Sequence, residues 1–201
     1  GWGIDELADD YASCARWAVN SGADCIETNF SCPNVATCDG QLYQSPDPAR
    51  LVAQRIRAAI GTTPLIIKIG HVSSVSDTEQ LVDALGDTVD AIAMTNSLAT
   101  RVRDGDRWLF DRQQRGICGQ AILNESTDQV RRFRSVIDSR GLSTRLIGVG
   151  GISSAADVHQ YLSSGAHACH LATAVMVDPS VGFQIRDQFN DVSFVSGASP
   201  Q

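Results

Sequence analysis

The chain has 201 residues, of which 43% are hydrophobic and 19% are charged, enough for one substantial core or for part of a larger domain. Its formal net charge of -7 argues against a nucleic-acid partner, because an acidic surface is repelled by the phosphate backbone. No apolar run approaches the roughly 20 residues that a membrane-spanning helix needs. We therefore expect neither a nucleic-acid partner nor a membrane partner for this chain.

The chain contains six cysteines, and no two of them stand in a C-x-x-C pair. Paired thiols are the usual signal of a zinc or iron–sulfur site, so we expect no metal site. Scattered cysteines are typical of a reducing compartment, and we predict a cytoplasmic protein. Cys14, Cys25 and Cys169 stand in apolar patterns and are predicted to be core residues.

Helical and strand patterns alternate along the chain, and each is recognised by the spacing of its apolar residues. In chain order, we predict a helix over 4–20, a strand over 23–28, a helix over 48–60 with Asp47 as its N-cap, a strand over 64–69, a helix over 76–85, a strand over 90–95, an irregular segment over 96–123, a helix over 127–139, a strand over 145–148, a helix over 155–163, a strand over 168–172 and a helix over 179–189. The strand at 64–69 is apolar on both faces, as in a parallel sheet that is covered on both sides.

This alternation predicts a parallel α/β fold. A doubly wound sheet and a (β/α)8 barrel both fit it, but polar candidates follow nearly every strand, and a barrel brings loops from many strands to one mouth. We count five strands, whereas a barrel has eight. We therefore expect residues 1–201 to be the C-terminal part of a single (β/α)8 TIM-barrel domain, supplying about its last five β/α units, with roughly three N-terminal units outside this chain.

The first candidate site is the segment Asn29-Phe30-Ser31-Cys32-Pro33-Asn34, which follows an apolar strand. Pro33 disfavours helical geometry at Cys32 and stiffens the turn. A thiol held there can act as a base or a nucleophile when its pKa is lowered. The alternative interpretation is an ordinary polar turn that contains an incidental cysteine.

Two further strands carry polar residues near their ends. Lys68 is the only charged residue in the strand at 64–69 and needs an anionic partner if it is buried. Thr95-Asn96-Ser97 closes the strand at 90–95 with hydroxyl and amide groups that suit the carbonyl and amide edges of a ligand. A lysine that snorkels to solvent and a capped turn are the corresponding alternatives.

The last candidate site is the glycine-rich turn Gly148-Val149-Gly150-Gly151-Ile152-Ser153-Ser154, between a strand and a helix. Backbone N–H groups in such a turn, with the N-terminus of the helix that follows, bind phosphate well. Thr173, after the last strand, could complete a phosphate site, and barrels often bind phosphate after strands seven and eight.

Taken in order, these motifs resemble the dihydroorotate dehydrogenase family over residues 22–174. The resemblance is carried by Glu27-Thr28-Asn29-Phe30-Ser31-Cys32-Pro33-Asn34, Ile66-Ile67-Lys68-Ile69, Thr95-Asn96-Ser97, Gly116-Ile117-Cys118-Gly119, Ile147-Gly148-Val149-Gly150-Gly151-Ile152 and Thr173-Ala174. It implies an FMN-binding barrel that oxidises dihydroorotate to orotate in pyrimidine biosynthesis. The cysteine resembles the base of the class 1 enzymes.

The resemblance also implies a role for each site residue. Cys32 would remove the C5 proton while FMN accepts the C6 hydride, and the dihydropyrimidine substrate would be held by Asn29, Asn34, Asn96 and Ser97. FMN would be contacted by Lys68, at the N1/O2 side of the flavin, and by Thr95, Gly116, Gly150, Gly151, Ala172 and Thr173. Class 1 relatives imply a homodimer or a complex with an electron-transfer subunit, and the electron acceptor could be fumarate, NAD or a quinone.

The chain departs from the family pattern at three places. Arg115 replaces the first of two glycines and could clash with FMN or pair with its phosphate, Gly70-His71 replaces Ser/Ala-Pro after Lys68, and residues 101–114 are unusually charged. These changes leave open a related flavin barrel for another dihydropyrimidine, as in dihydropyrimidine dehydrogenase, or a truncated barrel that binds FMN without turnover. An inosine-monophosphate dehydrogenase type of barrel, with Cys118 as nucleophile and no flavin, is a further alternative.

Overall fold

The computed structural model describes residues 3–31 and 38–195. Its elements are α1 (Ile4–Asn20), β1 (Ile26–Asn29), α2 (Pro46–Ile60), β2 (Leu65–Lys68), α3 (Val75–Leu85), β3 (Ala91–Met94), β4 (Leu98–Arg101), β5 (Arg103–Asp104), β6 (Arg107–Trp108), β7 (Gln114–Ile117), α4 (Leu123–Ser139), β8 (Arg145–Val149), α5 (Ala155–Ser163), β9 (Ala168–His170), α6 (Thr173–Val177) and α7 (Val181–Val195). Each strand and helix expected from the sequence is present, so the predicted alternation is confirmed.

Five strands form one parallel sheet in the order β1-β2-β3-β8-β9. These strands therefore lie side by side in chain order, without the reversal that defines a doubly wound sheet. The order is that of consecutive β/α units in a (β/α)8 barrel. The predicted fold class, about five units of such a barrel, is confirmed.

The outer face of the sheet packs against the helices. Side chains alternate between the two faces of a strand, and Leu65, Ile67, Ile92 and Leu146 point outward into the large apolar core. Each of them is 0% exposed, and burying a side chain of this size contributes about 1.5–3 kcal/mol. This face therefore supplies most of the apolar stabilisation.

The inner face carries the alternate set of strand residues. Ile66, Ala91, Ala93, Ile147 and Val149 form a small apolar cluster that is separate from the outer core. The polar and charged residues of this face are Glu27 and Asn29 on β1, Lys68 at the end of β2 and His170 at the end of β9. The inner face is therefore mixed, with its charged side chains on β1, β2 and β9.

The sheet is strongly curved. Nδ1 of His170 on β9 lies 3.5 Å from Oε2 of Glu27 on β1, although β1 and β9 are the two edge strands. In a flat sheet, four strand spacings would separate them by roughly 19 Å. The contact across the inner face shows that the sheet curls as a barrel wall does.

The start of α2 differs from the prediction, which placed its first residue at Pro48 and its N-cap at Asp47. The helix begins at Pro46, and Ser45 is the N-cap. Both prolines fit because the first turn of a helix leaves its N–H groups without intrahelical partners. Asp47 instead forms an ion pair with Arg50 at 2.9 Å, one turn along the helix.

The segment expected to be irregular contains an arm of two short hairpins. β4 pairs with β7, and β5 pairs with β6, both antiparallel. Most residues of the arm are exposed, and the Arg103 guanidinium stacks over Trp108 at 4.5 Å. The prediction missed these strands because two to four mostly polar residues give no clear apolar alternation.

The expectation of three core cysteines is wrong for two of them. Cys169 is partly buried, but Cys14 and Cys25 are exposed. Both exposed thiols line a groove between α1 and the edge strand β1. An apolar pattern alone does not bury a residue that lies beside a sheet edge.

Within the described ranges, 3–31 and 38–195, there is neither a metal-ligand cluster nor a membrane-spanning helix. No group of three or more His, Cys, Asp or Glu side chains there is arranged to hold a metal ion. In the same ranges, no helix is both long enough and apolar enough to cross a membrane.

Candidate functional site

A pocket of about 400 Å³ lies at the carboxyl ends of β3, β8 and β9. It brings together six of the residues that the sequence singled out, and these are Thr95, Asn96, Gly150, Gly151, Ala172 and Thr173. Asn29, Lys68, Ser97 and Gly116 are not among its lining residues. The carboxyl end of a parallel barrel is where loops from successive strands converge, which explains why distant motifs meet here.

The glycine turn after β8 is shaped by tight packing. Gly150 has φ 117° and Gly151 has φ 79°, a region that favours residues without a Cβ. A Cβ on Gly150 would lie 2.8 Å from Cδ1 of Ile122, and one on Gly151 would lie 2.6 Å from Cβ of Leu123. The glycines therefore let the turn close against the start of α4 with its backbone facing the pocket.

Tyr161 on α5 holds the same turn from the outer side. Its hydroxyl donates to the carbonyl oxygens of Val149 at 3.1 Å and Gly150 at 2.6 Å. Burial raises the pKa of the Tyr161 hydroxyl, which keeps it protonated as a donor. A Cβ on Gly148 would lie 2.2 Å from the Tyr161 ring, so this glycine admits the ring.

The N-terminus of α5 is partly occupied by a carboxylate of its own first turn. Asp157 Oδ2 accepts from the Ser153 backbone N–H at 2.9 Å and from the hydroxyls of Ser153 and Ser154 at 3.1 and 2.9 Å. Ser154 is the N-cap. A phosphate at this pocket would therefore meet the backbone at 150–152 rather than the N–H of Ser153.

The end of β3 connects the pocket to the segment before Cys32. The Thr95 backbone N–H donates to the Val149 carbonyl at 2.6 Å, and its side-chain Oγ1 is buried without a hydrogen-bond partner among the described residues. The Asn96 side-chain amide donates to the Ser31 carbonyl oxygen. Asn96 thus holds the residue that precedes the predicted base.

Asn29 and Ser97, both predicted to contact substrate, lie outside the pocket lining. Asn29 ends β1, and its Oδ1 accepts from the Ser31 backbone N–H at 3.1 Å. Its carbonyl oxygen accepts from the Tyr11 hydroxyl at 3.1 Å. Ser97 is half-buried between Asn96 and β4.

Lys68 ends β2 on the inner face, beside Asn29 in the sheet register. Its Nζ lies 4.0 Å from Oε1 of Glu27, and the other oxygen of that carboxylate faces His170. Neither Glu27 nor His170 is among the residues predicted from the sequence to act in the site. Each is nevertheless a polar residue in a strand predicted to be buried, and that pattern could have marked both as candidates.

Cys32 and Asn34, the predicted base and a predicted substrate contact, lie outside the described residues. The chain that leads to them is anchored, because the Phe30 backbone N–H donates to the Lys68 carbonyl at 2.9 Å. Phe30 itself is 0% exposed. Two positions before the predicted base, the chain is therefore held by Phe30, which is packed in the core and hydrogen-bonded to the end of β2.

Gly70, one of the departures from the family pattern, faces a tyrosine. A Cβ at this position would lie 2.6 Å from the hydroxyl oxygen of Tyr43 and 2.8 Å from Oγ of Ser31. Tyr43 is 7% exposed, and burial raises the pKa of its hydroxyl. Gly70 therefore makes room for a tyrosine beside the segment that leads to Cys32.

The residues after Gly70 are clamped by α4. Gln129 donates from Nε2 to the Gly70 carbonyl and accepts at Oε1 from the Val72 N–H, both at 2.9 Å. The Arg132 guanidinium donates to the Val72 carbonyl. Burial, and secondly the charge of Arg132, lower the pKa of His71, which favours its neutral form.

Gly116 lies in β7 of the arm, opposite Ala99, and is exposed. The neighbouring Arg115 donates to Oε1 of Gln113 at 2.7 Å and stacks over Phe110 at 5.6 Å. Both contacts are within the arm. In this structure Arg115 therefore neither blocks nor enters the pocket.

The residues just after β7 reach the pocket instead. Cys118 and Gly119 line it, together with Thr173. The Thr173 hydroxyl donates to the Cys118 sulfur at 3.7 Å. Gly119 has φ 72°, and a Cβ there would lie 3.2 Å from the Thr173 methyl group, so the two segments are packed together.

Comparison with known proteins gives one consistent result. The family model for dihydroorotate dehydrogenase matches residues 3–192. The dihydroorotate dehydrogenase of Dictyostelium discoideum is 32% identical over 186 residues, which are 89% of this chain and 50% of that protein. The catalytic subunit of dihydroorotate dehydrogenase B (NAD(+)) from Solidesulfovibrio magneticus is 30% identical over 90% of this chain and 58% of its own length.

Solved structures agree on the fold. DHODH from Eimeria tenella in complex with ferulenol superposes with a TM-score of 0.79 at 20% identity, over 94% of this chain and 55% of that one. The ligand-free form from the same organism gives a TM-score of 0.74. The chain thus spans 50–58% of the length of these two curated relatives.

Proposed function

The chain belongs to the dihydroorotate dehydrogenase family, and from that premise we propose that it is part of an FMN-dependent oxidoreductase that converts dihydroorotate to orotate. The observation that carries the proposal is that two features meet at the carboxyl end of the sheet. A glycine-lined pocket after β8 and β9 adjoins an inner face that carries Lys68 and Asn29. His170 belongs to both.

The pocket fits FMN in size and in chemistry. Its volume of about 400 Å³ is within the roughly 300–1,000 Å³ of typical small-molecule sites. The buried, unpartnered hydroxyl of Thr95 offers a hydrogen bond to a ligand. The described lining contains no lysine or arginine, so backbone N–H groups at 150–152 and the Thr173 hydroxyl would hold the phosphate.

The chain's own residues supply the proton chemistry of the proposed reaction. Cys32, as a thiolate, would take the C5 proton of dihydroorotate, and Asn29, Asn34, Asn96 and Ser97 would orient the ring and its carboxylate. FMN, when bound, supplies the acceptor for the hydride from C6. Lys68 would place a fixed positive charge beside the flavin, which stabilises negative charge that develops there.

A partner subunit and the electron acceptor belong to the same proposal. Several relatives are named as catalytic subunits of dihydroorotate dehydrogenase B (NAD(+)). Their names support a complex with an electron-transfer subunit. A homodimer is the other arrangement that the family allows.

A second candidate function is the oxidation of another dihydropyrimidine by the same chemistry. Tyr43 favours it, because its hydroxyl occupies the space beside Ser31 where a side chain at position 70 would stand. A changed wall next to the predicted substrate residues would alter which ring substituents fit.

Absorbance of the purified full-length protein tests these proposals. After reconstitution with FMN, we expect a flavin absorbance band at about 450 nm that bleaches when dihydroorotate is added under anaerobic conditions. Dihydrouracil, which lacks the carboxylate, is the matched control. Bleaching by dihydrouracil alone would favour the second candidate, and failure to retain FMN would overturn both.

A further inference from the structure

The charged part of the inner face contains a carboxylate that the proposed reaction does not use. Glu27 lies on β1, two residues before Asn29 and therefore on the same face of the strand. In the sheet register it stands opposite Ile66, whereas Lys68 stands opposite Asn29. Glu27 is thus one layer deeper in the barrel than the lysine.

Both oxygens of this carboxylate face a basic side chain. Oε1 lies 4.0 Å from Nζ of Lys68, and Oε2 lies 3.5 Å from Nδ1 of His170. The three side chains come from β1, β2 and β9, so the contact joins the two edges of the curved sheet. Their exposed fractions are 31%, 26% and 44%, in the order Glu27, Lys68, His170.

We propose that Glu27 is a positioning residue for Lys68, and that it lowers the preference of the site for reduced over oxidised FMN. The inference rests on the proposed function, in which Lys68 lies beside the flavin. Because Glu27 is deeper than Lys68, it draws the ammonium group away from the carboxyl end of the sheet. Its negative charge also offsets part of the lysine's field.

The displacement of the Lys68 ammonium group and the partial cancellation of its charge both weaken the binding of reduced FMN relative to oxidised FMN. Without the carboxylate, Lys68 is free to extend towards the pocket, and its charge is no longer compensated. Reduced flavin carries more negative charge than oxidised flavin, so it gains more from the change. Removal of the Glu27 charge should therefore tighten the binding of reduced FMN relative to oxidised FMN.

The test compares Glu27→Gln with the wild type in the full-length protein, by measuring the dissociation constants of oxidised and reduced FMN. We expect the ratio of oxidised to reduced dissociation constants to rise about tenfold. For a two-electron couple this is a rise of about 30 mV in midpoint potential. Glu79→Gln is the matched control, since Glu79 faces Arg140 at 3.8 Å on the outer helices and its loss should leave the ratio unchanged.

A double-mutant cycle with Lys68→Met separates positioning from a direct effect of the carboxylate. If Glu27 acts through Lys68, the rise in the ratio should largely disappear in the Lys68→Met background. Glu27→Asp keeps the charge and should shift the ratio less than Glu27→Gln, which provides a readout even if the glutamine variant folds poorly.

The outcomes distinguish this inference from the proposed function. FMN binding with the same ratio in wild type and Glu27→Gln overturns the positioning role alone. An equal rise with and without Lys68 would also overturn it, because the carboxylate would then act directly. A wild-type protein that binds no FMN overturns the proposed function and this inference together.

Discussion

The two faces of the five-stranded sheet differ in composition: one is packed with apolar side chains, and the other carries charged side chains of the candidate site. On the outer face, apolar side chains such as Ile67 and Leu146 are completely buried under helices. On the inner face, Glu27, Lys68 and His170 are partly exposed, and the two basic side chains both face the Glu27 carboxylate. Adjacent residues of one strand point to opposite faces. A residue that packs in the core is therefore followed directly by one that faces the candidate site.

Substitutions on the two faces should therefore affect different properties of the protein. A change on the outer face should alter the free energy of unfolding, because it disturbs close packing. A change at the inner face or at the carboxyl ends should alter ligand binding and turnover with little effect on folding. The following changes test that distinction, beginning with the largest expected effect.

Cys32→Ala should slow flavin reduction by dihydroorotate by about 10²–10⁴, the usual contribution of a general base. FMN binding and the free energy of unfolding should be almost unchanged. Anaerobic stopped-flow absorbance measures the rate, and Cys14→Ala, an exposed thiol on α1, is the control. Loss of activity in Cys118→Ala but not in Cys32→Ala would instead favour the alternative nucleophile.

Gly148→Ala should destabilise the fold by about 1–3 kcal/mol, the usual cost of overpacking. The new Cβ would lie 2.2 Å from the Tyr161 ring, so the ring or the turn it holds must shift. Chemical denaturation measures the change. Gly182→Ala, where a Cβ meets nothing within 4 Å, should be neutral or slightly stabilising, and equal losses in both variants would contradict the packing argument.

The partly buried thiol of Cys169, on the outer face, should make the free energy of unfolding depend on pH. Burial raises the pKa of its thiol from 9.0 to about 11, so the unfolded chain loses this proton first as the pH rises. The free energy of unfolding should therefore be unaffected below about pH 9 and fall towards about pH 11, by at most about 1.4 kcal/mol per pH unit.

Denaturation of wild type and Cys169→Ala across this range isolates the thiol. The difference in stability between the two proteins should shrink as the pH rises. Cys25→Ala, which removes an exposed thiol, is the matched control. A difference for Cys169→Ala that does not change with pH would mean that burial does not protect its thiol.

Arg115→Gly should have the smallest effect. Its guanidinium bonds to Gln113 and stacks on Phe110 within the arm, and exposed substitutions usually change stability by less than about 0.5 kcal/mol. FMN affinity, measured by fluorescence titration, should stay within about twofold. A large gain in affinity would mean that Arg115 reaches the cofactor after all.

Much of this molecule was determined by local sequence. The strands at 64–69 and 90–95 are short apolar runs, and the helix at 4–20 has a clear 3.6-residue period, so their existence followed from periodicity alone. The glycine turn and the order of the motifs were equally readable. Where local signals conflicted, prediction failed, as when Ser45 rather than Asp47 became the N-cap of α2.

Tertiary structure alone decided which of these residues meet. Glu27 and His170 are 143 positions apart in the chain and touch only because the parallel strands curl. Likewise, the sequence shows only that Gly70 departs from the family pattern, whereas the structure shows that Tyr43 fills the space that a side chain at position 70 would occupy. Periodicity is a property of neighbouring residues, whereas curvature and close approach depend on how whole elements pack, and a single sequence does not display that.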